Sequence, residues 1–285
     1  MDALTFGLMG LCRHGRDGSF ATRSNREDML AMMAADLKAG GFKLPTPASL
    51  KPKHVEFLIE RWRADGITTA TMKNRMAVIR WWAEKVNKAS VVQRRNEDYG
   101  IGEALTAKSR AYALEGERLA AIQCPLVRLA LELQATFGLR REEAIKFKVS
   151  IADQSDRVVL RPSWTKGGRG RTIPIVSPKQ RELLDRVRGV AGDGALIPDG
   201  KKYVEQLKAY EYQTLAAGLR NTHGLRHAWA QQRYQELTCW AAPAAGGPAM
   251  SAMSARDQRA DRQARLKLSQ ELGHNRIEIT KVYLG

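Results

Sequence analysis

Apolar residues recur at three- and four-residue intervals through most of this chain, and one short stretch between residues 157 and 175 breaks that rhythm with β-prone runs. Such a pattern folds as packed helices with a small hairpin set among them. In the first third, the run from Met29 to Leu37 predicts a helix, with Ser24 and Glu27 at capping-box spacing ahead of it and Gly40-Gly41 as its stop. A second helix is expected from Pro52 to about Ala64. A third follows Thr68-Thr69, with Met72, Met76, Ile79, Trp82 and Val86 on one buried face and Lys73, Arg75 and Arg80 elsewhere. Further helices are expected over residues 115–122, 125–137, 178–190, 202–217, 225–237 and 266–272. The β-prone runs, residues 157–161 and 171–175, flank Lys166-Gly-Gly-Arg-Gly-Arg171, whose glycines suit a hairpin turn.

A chain of 285 residues has room for two domains of ordinary size. The expected division is a mainly α domain over residues 1–108, with a basic linker from about residue 91, and an α+β domain over residues 109–285. Trp62, Trp81 and Trp82 read as core or packing residues rather than stacking platforms. The Ala/Pro/Gly-rich stretch 241–251 lies in an expected flexible insertion spanning about 240–262.

Lys and Arg number 47 against 30 Asp and Glu, a formal net charge of +17, which points to a polyanionic partner and most simply to nucleic acid. The apolar run in residues 1–11 is too short to cross a bilayer and has no basic leader, so a membrane is not an expected partner. The three cysteines, Cys12, Cys124 and Cys239, are far apart, with no C-x-x-C spacing for zinc or redox chemistry, and fit a reducing cytoplasm.

The chemistry sits in a scattered set: Arg140, Lys166, His223, Arg226, His274 and Tyr283. Planar guanidinium groups match the non-bridging oxygens of a phosphate, histidines and a lysine move protons, and a phenol can become a covalent nucleophile. Together they describe metal-free, ATP-free attack on a phosphodiester. His223 and His227 have the i, i+4 spacing of a helical metal pair, but no Glu follows the first as in H-E-x-x-H, and no cofactor is expected. The glycines at 167, 168 and 170 lack the G-x-x-x-x-G-K-[ST] pattern of a nucleotide loop.

Thr136-Phe-Gly-Leu-Arg140-Arg-Glu-Glu143 resembles the first signature box of the tyrosine recombinases, the phage integrase family. Lys166 matches the family's hairpin lysine, His223-Gly-Leu-Arg226-His227 its H-x-L-R-H box and Leu272-Gly-His274 its L-G-H box, with Tyr283 at the family's distance beyond. The resemblance covers the half from about Glu115 onward, with a weaker likeness of the helical first third to the family's core-binding domain. It implies a two-domain DNA clamp in which Arg140 and Arg226 hold the scissile phosphate. It also implies that His223 takes or relays a proton, Lys166 donates one to the leaving 5′ oxygen, His274 bonds a phosphate oxygen and Tyr283 attacks. Glu143 and His227 are expected behind them as supports.

Lys73, Asn74, Arg75, Lys108, Arg110, Arg169 and Arg171 are candidate DNA contacts. Double-stranded DNA is the expected partner, with a homotetramer acting on two DNA sites implied by the resemblance and room left for accessory DNA-bending or directionality factors. A bacterial cytoplasm, with nucleoid association when DNA is bound, is the expected location. A type IB topoisomerase-like enzyme and a non-catalytic basic DNA-binding protein remain alternative readings. The interval between Arg226 and His274 is longer than the family usually shows. The chain also stops two residues after Tyr283, where family members continue into a segment that docks on a neighbour, so either it is cut short or its subunit contacts differ.

Overall fold

The computed structural model describes residues 2–102, 109–165 and 167–285 and divides into two compact units, Met1–Leu105 and Thr106–Gly285. Lys108 and Lys166, two of the residues singled out above, lie outside the described residues.

The first unit contains α1 (Ala3–His14), α2 (Phe20–Ala39), α3 (Pro52–Ala64) and α4 (Thr69–Lys85). Its core gathers Leu8, Leu30, Met33, Leu58, Trp62, Met76, Ile79 and Trp82. Helix α1 was not expected from its apolar run alone; Asp2 starts it by accepting from the Thr5 N–H at 2.8 Å. Helix α2 begins a turn before the predicted box, because Ser19 caps it by accepting from the Thr22 N–H. Trp62 and Trp82 are fully buried and Trp81 nearly so, as core residues should be.

The basic stretch after residue 91 is not an open linker at its start. Val92 and Ile101 belong to the first core, and Arg80 ties the intervening turn to α4 by donating to the Gln93 carbonyl at 3.1 Å and to Asn96 Oδ1 at 2.9 Å. Two apolar residues spaced nine apart carry no periodic signal, which is why composition alone reads the segment as a tether.

The second unit runs α5 (Gly116–Ala120), α6 (Pro125–Phe137), α7 (Arg141–Ile145), α8 (Val149–Ala152), β1 (Arg157–Leu160), β2 (Arg171–Pro174), α9 (Pro178–Ala191), α10 (Tyr203–Ala216), α11 (His223–Thr238), α12 (Ala255–Glu271) and α13 (Lys281–Leu284). Helices α6 and α11 pack together at the centre, with α7, α9 and α10 around α6 and α12 against α11. The strands pair antiparallel in the register Val158 to Ile173 and Leu160 to Arg171. The alternation puts Arg171 and Ile173 on the buried face and Thr172 outside.

Segment 240–262, expected as a flexible insertion, carries regular structure along part of its length. It holds two short 3-10 turns, Pro243–Ala245 and Met250–Ala252, and the opening of the 17-residue α12, capped by Ser254. A mean composition rich in Ala, Gly and charge hides the inward-facing Asp261, Ala264, Arg265 and Leu268 that fasten this helix.

Candidate active site

Four elements bring the sequence-distant groups together. Helix α6 ends at Gly138 in a left-handed conformation, φ +61°, where a Cβ would fall 2.3 Å from the Trp229 ring. The chain can therefore turn against α11 and set Arg140 at the start of α7. Helix α11 carries His223, Arg226 and His227 on neighbouring turns. Helix α12 ends at a second left-handed glycine, Gly273 (φ +75°), and the His274 N–H closes that turn on the Ser269 carbonyl at 2.8 Å. The chain then passes a 3-10 turn (Ile277–Thr280) into α13, which delivers Tyr283.

The phenol oxygen of Tyr283 is the point of convergence. Arg226 Nε donates to it at 3.3 Å, and His274 Nε2 lies 3.3 Å from it and 3.3 Å from Arg140 Nη2. A neutral imidazole with its proton on Nδ1 offers Nε2 as acceptor to both neighbours. The His227 ring packs on the Tyr283 ring at 4.7 Å between centroids, and the His223 ring stands 6.2 Å away. Tyr283 is 4% exposed, so the nucleophile candidate sits inside the unit despite its place near the chain's last residue. Its backbone carbonyl accepts from Gln231 Nε2 at 2.9 Å, a fixture that no motif announces.

Arg226 is fully buried, yet no carboxylate among the described residues pairs with it by direct contact. Nη1 donates to the Gly138 carbonyl and Nη2 to the Leu272 carbonyl at 2.6 Å. Burial, with Arg171 and Arg140 nearby, brings its pKa down to about 10, which leaves it charged at neutral pH.

Behind Arg140 lies Glu143, with no exposed surface. One carboxylate oxygen accepts from Arg140 Nη1 at 2.8 Å and the other from the Arg140 backbone N–H at 2.6 Å. Arg171 closes on the same carboxylate with two bonds of 2.6 Å. Burial would raise the Glu143 pKa, but Arg171 above all, then Arg226 and Arg140, outweigh it and hold it at about 2.

Arg171, a candidate DNA contact from the sequence, is thus buried as a support of Glu143. The register was the available signal, since residue 171 must share the inward face of Ile173. Of the other candidate contacts, Asn74, Arg110 and Arg169 are exposed, while Lys73 and Arg75 are half-buried, Arg75 lying 5.1 Å over the Trp62 ring.

The histidines are set against carrying charge. Burial first, then the surrounding arginines, brings His274 down to about 4. Burial and His223 bring His227 to about 4 as well, and His223 is itself lowered by burial and then by Arg226 and Arg140. All three are neutral near pH 7, the form that can accept a proton.

Two family models match the chain: "Phage integrase, N-terminal" over residues 1–90 and "Integrase" over residues 104–232. The chain belongs to the phage integrase family, the tyrosine recombinases. No curated protein matches significantly. Among solved structures, XerH site-specific recombinase in a post-cleavage complex with palindromic difH substrate superposes with TM-score 0.61 at 16% identity, over 98% of this chain and 80% of that one. The Tn1549 transposon integrase with transposon right end DNA gives 0.60 at 14%, over 100% and 95%. A lambda integrase tetramer bound to a Holliday junction gives 0.56 at 15%, over 81% and 70%. At these identities the likeness is one of fold.

Proposed function

We propose that this integrase cuts and rejoins duplex DNA through a covalent 3′-phosphotyrosyl link at Tyr283. The observation that carries the reading is the convergence of Arg226 and His274 on one phenol oxygen, with Arg140 against the same His274 nitrogen, in a pocket whose net charge suits a phosphate. In the step itself, the Tyr283 oxygen bonds to phosphorus as the bond from phosphorus to the 5′ oxygen breaks. Neutral His223 accepts or relays the phenol proton, and Lys166, which falls between β1 and β2 in the sequence, supplies one to the departing 5′ oxygen. Arg140 and Arg226 hold the non-bridging oxygens while charge builds in the pentacoordinate transition state, and His274, once in the tautomer with its proton on Nε2, donates to one of them.

The phosphodiester's energy is retained in the adduct, so an incoming 5′ hydroxyl reverses the step without ATP. The lambda integrase match is a tetramer on a Holliday junction, and we infer the same assembly on two duplexes here. The place of action that follows is a bacterial cytoplasm, with the protein on the nucleoid when DNA is bound.

A nicked suicide duplex tests the proposal. Wild-type protein should leave a DNA adduct on denaturing gels, and Tyr283→Phe should abolish it. An adduct that persists in Tyr283→Phe refutes the nucleophile. A two-site recombination substrate run beside a supercoiled plasmid separates strand exchange from simple relaxation.

A further inference from the structure

The segment that lengthens the interval between Arg226 and His274 does more than connect α11 to α12. It builds a buried polar cluster outside the site described above. Asp261 and Arg265, one turn apart on α12, are 1% and 5% exposed. Arg265 Nε donates to both Asp261 oxygens at 2.8 and 3.0 Å, and the Tyr234 hydroxyl donates to Asp261 Oδ1 at 2.6 Å. Trp240 Nε1 in turn donates to the Tyr234 oxygen at 3.0 Å.

The remaining arm of Arg265 leaves the cluster and grips the Tyr283 turn: Nη1 donates to the Gly285 carbonyl at 3.2 Å and reaches Thr280 Oγ1 at 3.5 Å. Gly285, at φ +87°, lies so close to the Pro243–Ala245 turn that a Cβ would sit 3.1 Å from the Ala244 nitrogen. One turn further along α12, Ser269 accepts from the Arg276 N–H at 3.1 Å and donates to its carbonyl at 2.8 Å. The stretch carrying the nucleophile is therefore clamped at its start by Ser269 and at its far end by Arg265, within the same chain.

We propose that Arg265, locked by Asp261, Tyr234 and Trp240, is a positioning residue that fixes the Tyr283 turn in register with the phosphate-binding arginines. A buried ion pair is no great source of stability by itself, since apolar replacements of similar shape do as well. What an apolar pair cannot do is bond the Gly285 carbonyl. The inference rests on Tyr283 as nucleophile, and its test is arranged so that the two ideas fail separately.

Replacing the pair together, Asp261→Asn with Arg265→Met, avoids leaving a lone buried charge. The expected result is a folded protein whose thermal midpoint and duplex Kd match wild type, while single-turnover cleavage of the nicked duplex falls about 10²-fold, the usual cost of a 1 Å misplacement. Amide hydrogen exchange at Val282, Tyr283 and Leu284 should quicken at least ~10-fold in the same variant, as expected of a locally loosened turn. If the pair replacement does not fold, Arg265→Lys keeps the contact with Asp261 and loses the arm to Gly285, with the same pattern expected at about 10-fold in rate. Unchanged exchange and wild-type cleavage would overturn the proposal, as would losses of rate, Kd and thermal midpoint in parallel. A wild-type protein that forms no adduct would refute the nucleophile instead, and the exchange measurement would still decide the role of Arg265.

Discussion

Two sides of the same pocket hold their arginines by different physics. On the α7 and β2 side, Arg140 keeps a side chain that is 22% exposed and leans on the Glu143 carboxylate, which Arg171 grips from behind. On the α11 and α12 side, Arg226 is sealed in and held by backbone carbonyls at two helix ends. The first arrangement is an ion-pair relay, adjustable by charge. The second is fixed by chain geometry and by the glycines that let those ends come close. An anion gripped from both sides meets one donor that can follow it and one that cannot.

Replacements that strip each side in turn test this contrast. The largest effect is expected from Arg226→Lys, because the three N–H of an ammonium radiate from one nitrogen and cannot span the separated acceptors that three guanidinium nitrogens reach. Adduct formation should fall by about 10²- to 10³-fold, and a loss below ~10-fold would show that the carbonyl anchors are dispensable. Next is Glu143→Gln, which leaves two arginines without their shared counter-charge. Chemical denaturation should show a loss of about 3–5 kcal/mol, together with slower cleavage. An unchanged midpoint would mean that Arg140 is held by something else.

Gly138→Ala should be milder, about 1–3 kcal/mol from forcing φ +61° on a residue with a Cβ, plus the push against Trp229. Its signature is a displaced residue-138 carbonyl that weakens the Arg226 Nη1 bond while the Glu143 relay is untouched. The smallest effect is that of pH. His227 and His274 fall from about 6.5 when unfolded to about 4 when folded, so the unfolded chain binds more protons between these values. Their stabilising contribution is complete above about pH 6.5 and fades as pH drops towards 4. Thermal midpoints should therefore decline from pH 7 to pH 5, and less steeply once both are replaced by Gln.

Much of this was legible in the sequence, and the failures have physical causes. Strongly amphipathic α6 and proline-initiated α3 and α9 announce themselves, and the signature residues lie in order because chemistry constrains their type. Helix α12 was foreseen only over its last turns, since its inward face is half ionic: Asp261, Arg265 and Glu271 are buried in pairs, not exposed as charge patterns suggest. The burial of Arg171 was missed for the same reason. A charged side chain declares a preference for water unless its partner is known, and Glu143 is 28 residues away. The Gln231 bond to the Tyr283 carbonyl has no sequence signature at all, because a glutamine on a helix is ordinarily solvated.

Two of the three nitrogens on the Arg226 guanidinium are committed to main-chain oxygens, and the third faces the phenol. Each of those two nitrogens keeps a second N–H, so a phosphate that also takes the Nε–H meets the phenol there as a competitor. A phosphate bound at the Nε–H would evict the hydroxyl, and under the proposed chemistry that would make unmasking of the nucleophile a consequence of correct docking. In the resting protein that group is kept out of reach of stray electrophiles, and a tight-binding phosphate mimic would act as a trigger rather than as a mere plug.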